Sequence, residues 1–235
     1  MVTAETLQLG PESRRLDNEP LSEQVYRVLR DAICDGLFDD HTHLVQNQLA
    51  EQLDVSRTPV RDALLRLAQE NLVRAVGARG YIINALSERD LLDIYELRLI
   101  LEVKGAVLAL PEYGAADLRR LESINANISD PDYDDTDSYD LNREFHMAVL
   151  EPCPNRLIVK ILNDTWDLPV SRRIFRRQYA EHHYGSTEQH GHEPIMEAIR
   201  IRDAEALEAA LSAHLLEARD EASTFLASSP AKEVE

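Results

Sequence analysis

The chain has 235 residues, of which 44% are hydrophobic and 29% charged, values typical of soluble globular domains and not of disordered chains. Its net charge of −18 argues against a polyanionic partner unless basic residues are concentrated locally; residues 21–85 hold seven Arg against nine Asp and Glu, a net charge of only −2. The length suits two domains, and no signal-like start or run of 18 apolar residues occurs, so we expect a cytoplasmic protein without a membrane segment.

The first predicted helix follows a polar N-terminal stretch. Residues 1–20 show no hydrophobic periodicity, which predicts a flexible arm. Apolar residues then recur at helical spacing from Val25 to Ile33. Ser22 is the expected N-cap of this helix, and Gly36 the residue that ends it.

Two further helices with a tight turn between them are predicted next. The shorter spans about 46–53, and the other begins after Ser56, with Pro59 tolerated in its first turn. Apolar residues from Val60 to Leu72 form the inner face of the second of these helices. Ala50 is small enough for two helices to approach closely, so the pattern is that of a helix-turn-helix.

A β-rich stretch completes the N-terminal domain. The residues from Val73 to Ile83 favour strands but are interrupted by Gly77-Ala78-Arg79-Gly80, which predicts a two-stranded hairpin with a glycine-rich tip. Three helices followed by a hairpin is the element order of a winged helix. We therefore assign residues 21–85 to a winged helix-turn-helix domain.

The pattern becomes entirely helical after residue 85. Ser87-Glu88-Arg89-Asp90 reads as a capping box at the start of a helix that runs to about residue 110. Five more helices are predicted, at about 115–128, 138–150, 155–179, 187–201 and 203–227. Pro169 should kink the fourth of the six, and the acidic stretch 130–140 should be a solvated loop. The prediction is a mainly α protein with an all-α bundle of about six helices over 86–228 and a disordered tail, 229–235.

The start of the third helix carries the residues best suited to reading DNA. In a helix-turn-helix, the N-terminal residues of the second helix of the motif enter the major groove. Arg57 and Arg61 are four residues apart and share a face, and Arg can bind guanine with two hydrogen bonds. Ser56 and Thr58 can bind phosphate there. The alternative is an ordinary charged surface helix.

Three histidines of the C-terminal domain fall on helix faces that would meet in the bundle interior. Asn142 and His146 are four residues apart, while His192 and His214 each belong to an apolar helical pattern. Three imidazoles and an amide oxygen can hold a divalent transition metal with positions left for water or a carboxylate. The alternative is that these are hydrogen-bonded core histidines.

The segment from Leu49 to Leu64 (LAEQLDVSRTPVRDAL), followed by Leu72-Val73 and Arg79-Gly80, resembles the GntR family of transcription regulators. The resemblance covers about 21–83 and implies a homodimer on a palindromic operator in double-stranded DNA, with the hairpin tip in the minor groove. The residues that it places at the DNA are Ser56, Arg57, Thr58, Arg61, Asn47, Arg79 and Gly80. Asn47 stands where relatives often carry Arg, so the operator sequence cannot be copied from a relative.

The C-terminal part resembles the FCD ligand-binding domain of FadR-type members of that family. The segments that carry the resemblance are Leu97–Glu102 (LRLILE), Asn142–His146 (NREFH), His192 with Ile195–Ile199, and Ala213–Leu215. The resemblance implies a metal ion, such as zinc, nickel or manganese, bound by an Asp and three His. Asn142 takes the place of the Asp here; its amide oxygen can coordinate a metal but brings no charge.

The same resemblance implies that Arg98 binds the carboxylate of a small effector. Its alternative role is an i,i+4 ion pair with Glu102. We therefore expect a DNA-binding regulator, a repressor and not an enzyme, whose operator binding a small organic acid controls at the metal. The alternatives are a metal-responsive regulator without an organic effector, and a metal-dependent hydrolase, for which Glu144 lies on the wrong helical face.

Overall fold

The computed structural model describes the backbone of residues 19–77, 80–128, 135–181 and 185–228, and their side chains except at 135–138, 176–181, 185–190, 225 and 228. The predicted tail, 229–235, and all of the predicted arm except Glu19 and Pro20 lie outside the described residues. The chain forms two compact units that divide between Leu86 and Ser87. None of the described helices is long and apolar enough to cross a bilayer.

The N-terminal unit contains three helices and three short strands. They are α1 (Leu21–Cys34), β1 (His43–Val45), α2 (Gln46–Gln52), α3 (Arg57–Gln69), β2 (Val73–Val76) and β3 (Gly80–Ile83). The strands form one antiparallel sheet in the order β1-β3-β2, with Leu44 paired to Tyr81 and Val73 to Ile83. The winged-helix order is confirmed. The predicted hairpin was incomplete, because the three residues of β1 are too few to show strand alternation.

A left-handed residue makes the turn between α2 and α3. Asp54 has a φ of +54°, and the Val55 N–H donates to the Ala50 carbonyl at 2.9 Å across it. Ser56 is then extended and is the N-cap residue of α3. The connection between α2 and α3 is therefore short, and its backbone geometry sets the angle between the two helices.

The two ends of α1 gave one correct and one wrong prediction. Gly36 ends the helix as expected, with a φ of +74° that a residue bearing Cβ adopts only with strain. Ser22 is not the N-cap: Pro20 occupies that position, and no side chain caps the helix. Pro20 fixes its own φ and its carbonyl accepts from the N–H of Glu23, so the helix starts two residues earlier than the Ser-based pattern suggests.

An apolar core holds this unit together. Leu29 and Ile33 of α1 pack with Leu64 and Leu67 of α3, and Ile83 of β3 closes the core from the sheet side. All five side chains are almost fully buried. Burying an aliphatic side chain of this size contributes about 1.5–3 kcal/mol. The core therefore holds α3 with one face buried and the opposite face exposed to solvent.

The C-terminal unit consists, in its described residues, of seven α-helices and one short 3₁₀ helix, Leu110–Glu112. The helices are α4 (Glu88–Ala109), α5 (Ala115–Ile128), α6 (Asp135–Leu150), α7 (Arg156–Trp166), α8 (Pro169–Glu181), α9 (Gly185–Ile201) and α10 (Ala204–Ser228). The all-α prediction is confirmed. The capping box is also confirmed, since Ser87 Oγ accepts from the Asp90 N–H while Asp90 accepts from the Ser87 N–H.

Two boundaries differ from the sequence prediction. The region predicted as one helix with a kink at Pro169 is two helices, because the first ends at Trp166 and Pro169 is the first residue of the next. Helix α6 begins at Asp135, inside the stretch predicted as an acidic loop; residues 130–134 of that stretch lie outside the described residues. Acidic residues are favoured in a first helical turn, which explains the earlier start.

Helix α4 is central to this bundle. It packs against α6, α7, α8 and α10, while α9 packs against α5 and α10. Its buried face is mostly apolar, with Leu91, Tyr95 and Ala106, but it also carries two fully buried charged residues, Arg98 and Glu102. Buried charges are rare unless paired, so this face of α4 marks the site.

Candidate metal centre and nucleic-acid interface

The first turn of α3 presents an exposed polar surface. Arg57, Thr58 and Arg61 are exposed, and Ser56 is the exposed N-cap. Arg61 also forms an ion pair with Asp62 at 3.2 Å, in which both side chains are about half exposed. A helix N-terminus with free N–H groups and two Arg on one face can hold phosphate and reach base edges together.

The remaining residues predicted at the DNA lie on other elements. Asn47 is exposed near the start of α2. Gly80 is the first residue of β3, while Arg79 lies outside the described residues. Sequence reasoning therefore located exposed residues on the helix-turn-helix itself, where the local pattern is strongest.

A polar contact fixes α3 against α1. The guanidinium of Arg66 lies 3.6 Å from the centre of the Tyr26 ring and 2.5 Å from a Glu23 oxygen. The Tyr26 hydroxyl donates to Glu70 at 2.6 Å. Burial and the neighbouring Glu70 carboxylate raise the pKa of Tyr26 to about 12, so the hydroxyl stays protonated. Sequence analysis missed this contact because its members are 43 and 44 residues apart.

Three histidines meet inside the C-terminal unit. Nitrogen atoms of His146 (α6), His192 (α9) and His214 (α10) all lie within 4.8 Å of one another. The Nε2 atoms of His146 and His214 are 3.3 Å apart. His146 and His192 are fully buried and His214 is partly buried. The structure thus brings together three predicted residues from three helices.

Each ring is held by a second group on its other side. Glu102 lies 2.6 Å from Nδ1 of His146, and the Asn125 amide oxygen lies 3.2 Å from Nδ1 of His192. His214 packs against Gly191, where a Cβ would lie only 2.6 Å from the ring Nδ1. A histidine that donates its Nδ1–H leaves the Nε2 lone pair free to bind a cation.

Burial keeps these imidazoles neutral. It lowers the pKa of His192 well below the usual value, with smaller contributions from His214, His146 and Arg98. Burial and then His146 and Arg98 lower the pKa of His214 to about 3. Burial also lowers the pKa of His146, which the Glu102 carboxylate opposes only in part. Neutral imidazole is the form that binds metals.

The Glu102 carboxylate is ionised despite full burial. Burial by itself would raise its pKa, but Arg98 and His146 outweigh that effect and lower it to about 2. Arg98 Nε lies 2.5 Å from a Glu102 oxygen, so the ion pair considered from the sequence forms. The Arg98 guanidinium also lies 4.2 Å from the centre of the Trp166 ring and 5.0 Å from that of Phe175.

Asn142 is buried on α6, one helical turn before His146. Glu144, the only base considered for a hydrolase, is exposed and lies 3.5 Å from Arg120. It therefore faces away from the histidines. Glu102 and Asn125 were not recognised as site residues from the sequence, although a polar residue at an inward position of the α5 pattern (Leu121, Ile124, Ile128) could have marked Asn125.

Comparison with known proteins agrees with this architecture. Residues 21–83 match the bacterial regulatory proteins of the gntR family, and residues 93–217 match the FCD domain. The uncharacterised HTH-type transcriptional regulator YdhC of Bacillus subtilis is 29% identical over 199 residues, covering 83% of this chain and 88% of that protein. The gluconate operon transcriptional repressor of Bacillus licheniformis is 28% identical over 186 residues, covering 76% and 75%.

A solved structure shows the same fold. A putative transcriptional regulator GntR from Rhodococcus sp. RHA1 matches with a TM-score of 0.67 at 21% identity, covering 89% of this chain and 99% of that one. A winged helix-turn-helix unit followed by a helical unit with an internal polar site defines a DNA-binding transcription regulator. The FCD match covers more than half of the chain, which belongs to the GntR family of bacterial transcription regulators.

Proposed function

We propose that this regulator is a repressor whose binding to a palindromic operator is controlled by a small organic acid at a divalent metal in the helical unit. The observation that carries the proposal is the meeting of three neutral histidines, two of which have Nδ1 next to a buried oxygen acceptor. A buried imidazole cluster without a ligand would be costly to maintain, since buried polar atoms normally have partners.

The residues present fit a metal ion. His192 Nε2 is buried and has no hydrogen-bond partner. Two nitrogens 3.3 Å apart would subtend roughly 100° at an ion to which both are bound at about 2.1 Å. Neutral imidazoles suit zinc or nickel in particular, and Asn142 can add a neutral oxygen; manganese is the third candidate. When bound, the ion would supply open coordination positions for a carboxylate.

The acid is proposed from the charge around this centre. Arg98 is a buried cation whose charge lowers the pKa of all three histidines, and a guanidinium can bind a carboxylate with two hydrogen bonds. The resemblance to a repressor named for the gluconate operon also supports a small hydroxy acid as effector class. A bound acid alters operator affinity only if it favours one arrangement of the two DNA-binding units of the dimer over another.

A homodimer is supported by an exposed apolar surface on α4 and α7, which pack together. Ile100 is 62% exposed, Leu157 68% and Ile161 46%. A second copy that covers this surface would remove the exposed apolar side chains from water. It would also supply a second DNA-binding unit for the other half of a palindromic operator.

The variant Leu157→Glu/Ile161→Glu should therefore halve the mass seen by light scattering and weaken operator binding. Ile201→Glu, which changes an equally exposed residue at the end of α9 (59% exposed), is the matched control and should stay dimeric. An unchanged mass in the double variant would place the dimer interface elsewhere.

The DNA-reading proposal rests on the exposed start of α3. Operator DNA can be selected from a random-sequence library with the intact protein, and its affinity measured by fluorescence anisotropy at fixed salt. With the zinc-loaded protein we expect an added acid, gluconate first, to weaken operator binding at least tenfold. The same acid should have no effect on His192→Ala. Unchanged affinity with every acid tested would contradict effector control.

A metal-responsive regulator without an organic effector is the second candidate. The observation that favours it is that Arg98 is already paired with Glu102 at 2.5 Å, so its guanidinium does not need an effector for charge balance. In the same assay, a chelator alone would then change operator affinity without any acid. An acid response that needs the metal, with no response to the metal alone, excludes this candidate.

A further inference from the structure

Glu102 is a fully buried carboxylate that contacts two groups at once. One oxygen lies 2.5 Å from Arg98 Nε, and the other lies 2.6 Å from His146 Nδ1. Glu102 and His146 have no exposed side-chain surface, and Arg98 is 2% exposed. One side chain of α4 therefore joins the cation proposed to bind the effector to a histidine proposed to bind the metal.

The contact decides which nitrogen of His146 can bind a cation. A carboxylate only accepts hydrogen bonds, so an oxygen 2.6 Å from Nδ1 favours the neutral tautomer of His146 that carries its hydrogen on Nδ1. The Nε2 lone pair then faces His214, whose Nε2 is 3.3 Å away. In the opposite tautomer, two atoms with lone pairs would face each other at 2.6 Å and Nε2 would carry a hydrogen.

We propose that Glu102 is a positioning residue: it fixes the tautomer and orientation of His146 for a divalent cation, and Arg98 attenuates the negative charge that the cation experiences. The inference rests on the proposed function, because it presupposes an ion at the three histidines. Arg98 would then have a second effect on the site. An anion that draws the guanidinium away from Glu102 would raise the affinity of the three histidines for the metal.

The charges around the site support this role. Among the described residues, Glu102 and Arg98 are the charged groups that act on the three histidines. Asn142, the further oxygen donor proposed, is neutral. Glu102 is therefore the one negative charge that the described part of the chain supplies to a cation here. Groups that hold a ligating histidine in this way commonly change metal affinity by 10–100-fold.

The test compares two single variants that break the same ion pair. Co²⁺ is titrated into metal-free full-length protein, with the visible absorption of the bound ion giving both Kd and ligand geometry. Glu102→Gln should weaken Co²⁺ binding about 10–100-fold and alter the spectrum. Arg98→Gln removes a nearby positive charge but leaves Glu102 in place, so it should bind Co²⁺ more tightly than the wild type.

The opposite changes in Co²⁺ affinity expected for the two variants distinguish a positioning role of Glu102 from general damage to the structure. Equal weakening in both variants would mean that the pair only holds the helices together, and an unchanged Kd in Glu102→Gln would overturn the role of Glu102 while leaving the metal site intact. Failure of the wild type to bind Co²⁺ would instead reject the metal site itself and the inference with it.

Folding of each variant is checked by circular dichroism and thermal unfolding. If Glu102→Gln does not fold, Arg98→Gln/Glu102→Gln, which leaves neither charge unpaired, takes its place. We expect the double variant to bind Co²⁺ at least tenfold more weakly than Arg98→Gln alone. Equal affinities of those two proteins would contradict the proposal.

Discussion

The two units of this regulator place their polar residues in opposite ways. In the described part of the chain, all nine buried polar or charged residues lie in the helical unit, and none lies in the winged helix-turn-helix. The winged helix-turn-helix unit, called the reading unit below, has an apolar core. Its candidate DNA-binding residues, such as Arg57 and Arg61, are exposed to solvent. The helical unit keeps Arg98, Glu102 and two histidines inside.

Because of this arrangement, function and stability can be separated in one unit but not in the other. Exposed side chains away from caps and cores change stability by less than about 0.5 kcal/mol when replaced. Removing one partner of a buried charge pair costs about 3–5 kcal/mol. Substitutions of the exposed DNA-reading residues should therefore affect DNA binding alone, whereas those of the buried charged residues in the helical unit should affect ligand binding and folding together.

The largest effect is expected at the DNA-reading residues. Each Arg–guanine pair contributes about 1–3 kcal/mol, and a dimer has two copies, so Arg57→Ala or Arg61→Ala should weaken specific binding by about 30-fold to 10⁴-fold. The melting temperature should not change. Arg89→Ala, an exposed Arg of α4 paired with Asp93, is the control for operator affinity by anisotropy. Wild-type affinity in both reading variants would refute the assignment.

Removal of the metal should lower the stability of the helical unit and leave that of the reading unit unchanged. An ion at 1,000 times its Kd stabilises the folded state by about 4 kcal/mol. Trp166, the one tryptophan of the chain, lies in the helical unit beside Arg98 and His146. Its fluorescence should therefore show a lower melting temperature after chelation, while hydrogen exchange in the reading unit stays the same. A melting temperature insensitive to zinc and chelator would count against the site.

Gly191→Ala tests the packing of the third histidine. The added Cβ would lie 2.6 Å from His214 Nδ1 and must displace that ring, so zinc affinity should fall about tenfold by calorimetry. Alanine is also the better helix former by about 1 kcal/mol, so the helix itself should not be weakened. In the control Gly114→Ala the nearest atom is 3.4 Å away and zinc affinity should not change. Similar affinity in both variants would place His214 outside the metal site.

The smallest effect is expected at the contact between α1 and α3. Arg66→Ala removes the stacking on Tyr26 and a half-exposed ion pair with Glu23, which together contribute about 1 kcal/mol. Urea unfolding of the reading unit should show a loss of this size. Arg74→Ala, at an exposed position of β2, is the control. A loss above about 3 kcal/mol would mean that this contact, rather than the apolar core, fixes α3.

Local patterns were enough to predict much of the molecule. The helix-turn-helix could be placed because its turn, N-cap and apolar face all lie within about 20 residues, and the three histidines could be proposed because each sits on an inward helix face. The third strand and the separation of α7 from α8 were missed. A strand of three residues pairs with a partner almost 40 positions away, and a Pro in a helical pattern fits a kink as well as a new start.

The amino-acid sequence was enough to predict the two-unit organisation in outline, the exposed face of α3 and the identity of the candidate metal-donor residues. The folded arrangement was needed to show that His146, His192 and His214 meet, and that Glu102 lies between Arg98 and His146. The reason is physical: helical periodicity fixes which face of one helix is apolar, but the packing of five helices around α4 and α9 fixes which polar atoms on those faces come within bonding distance.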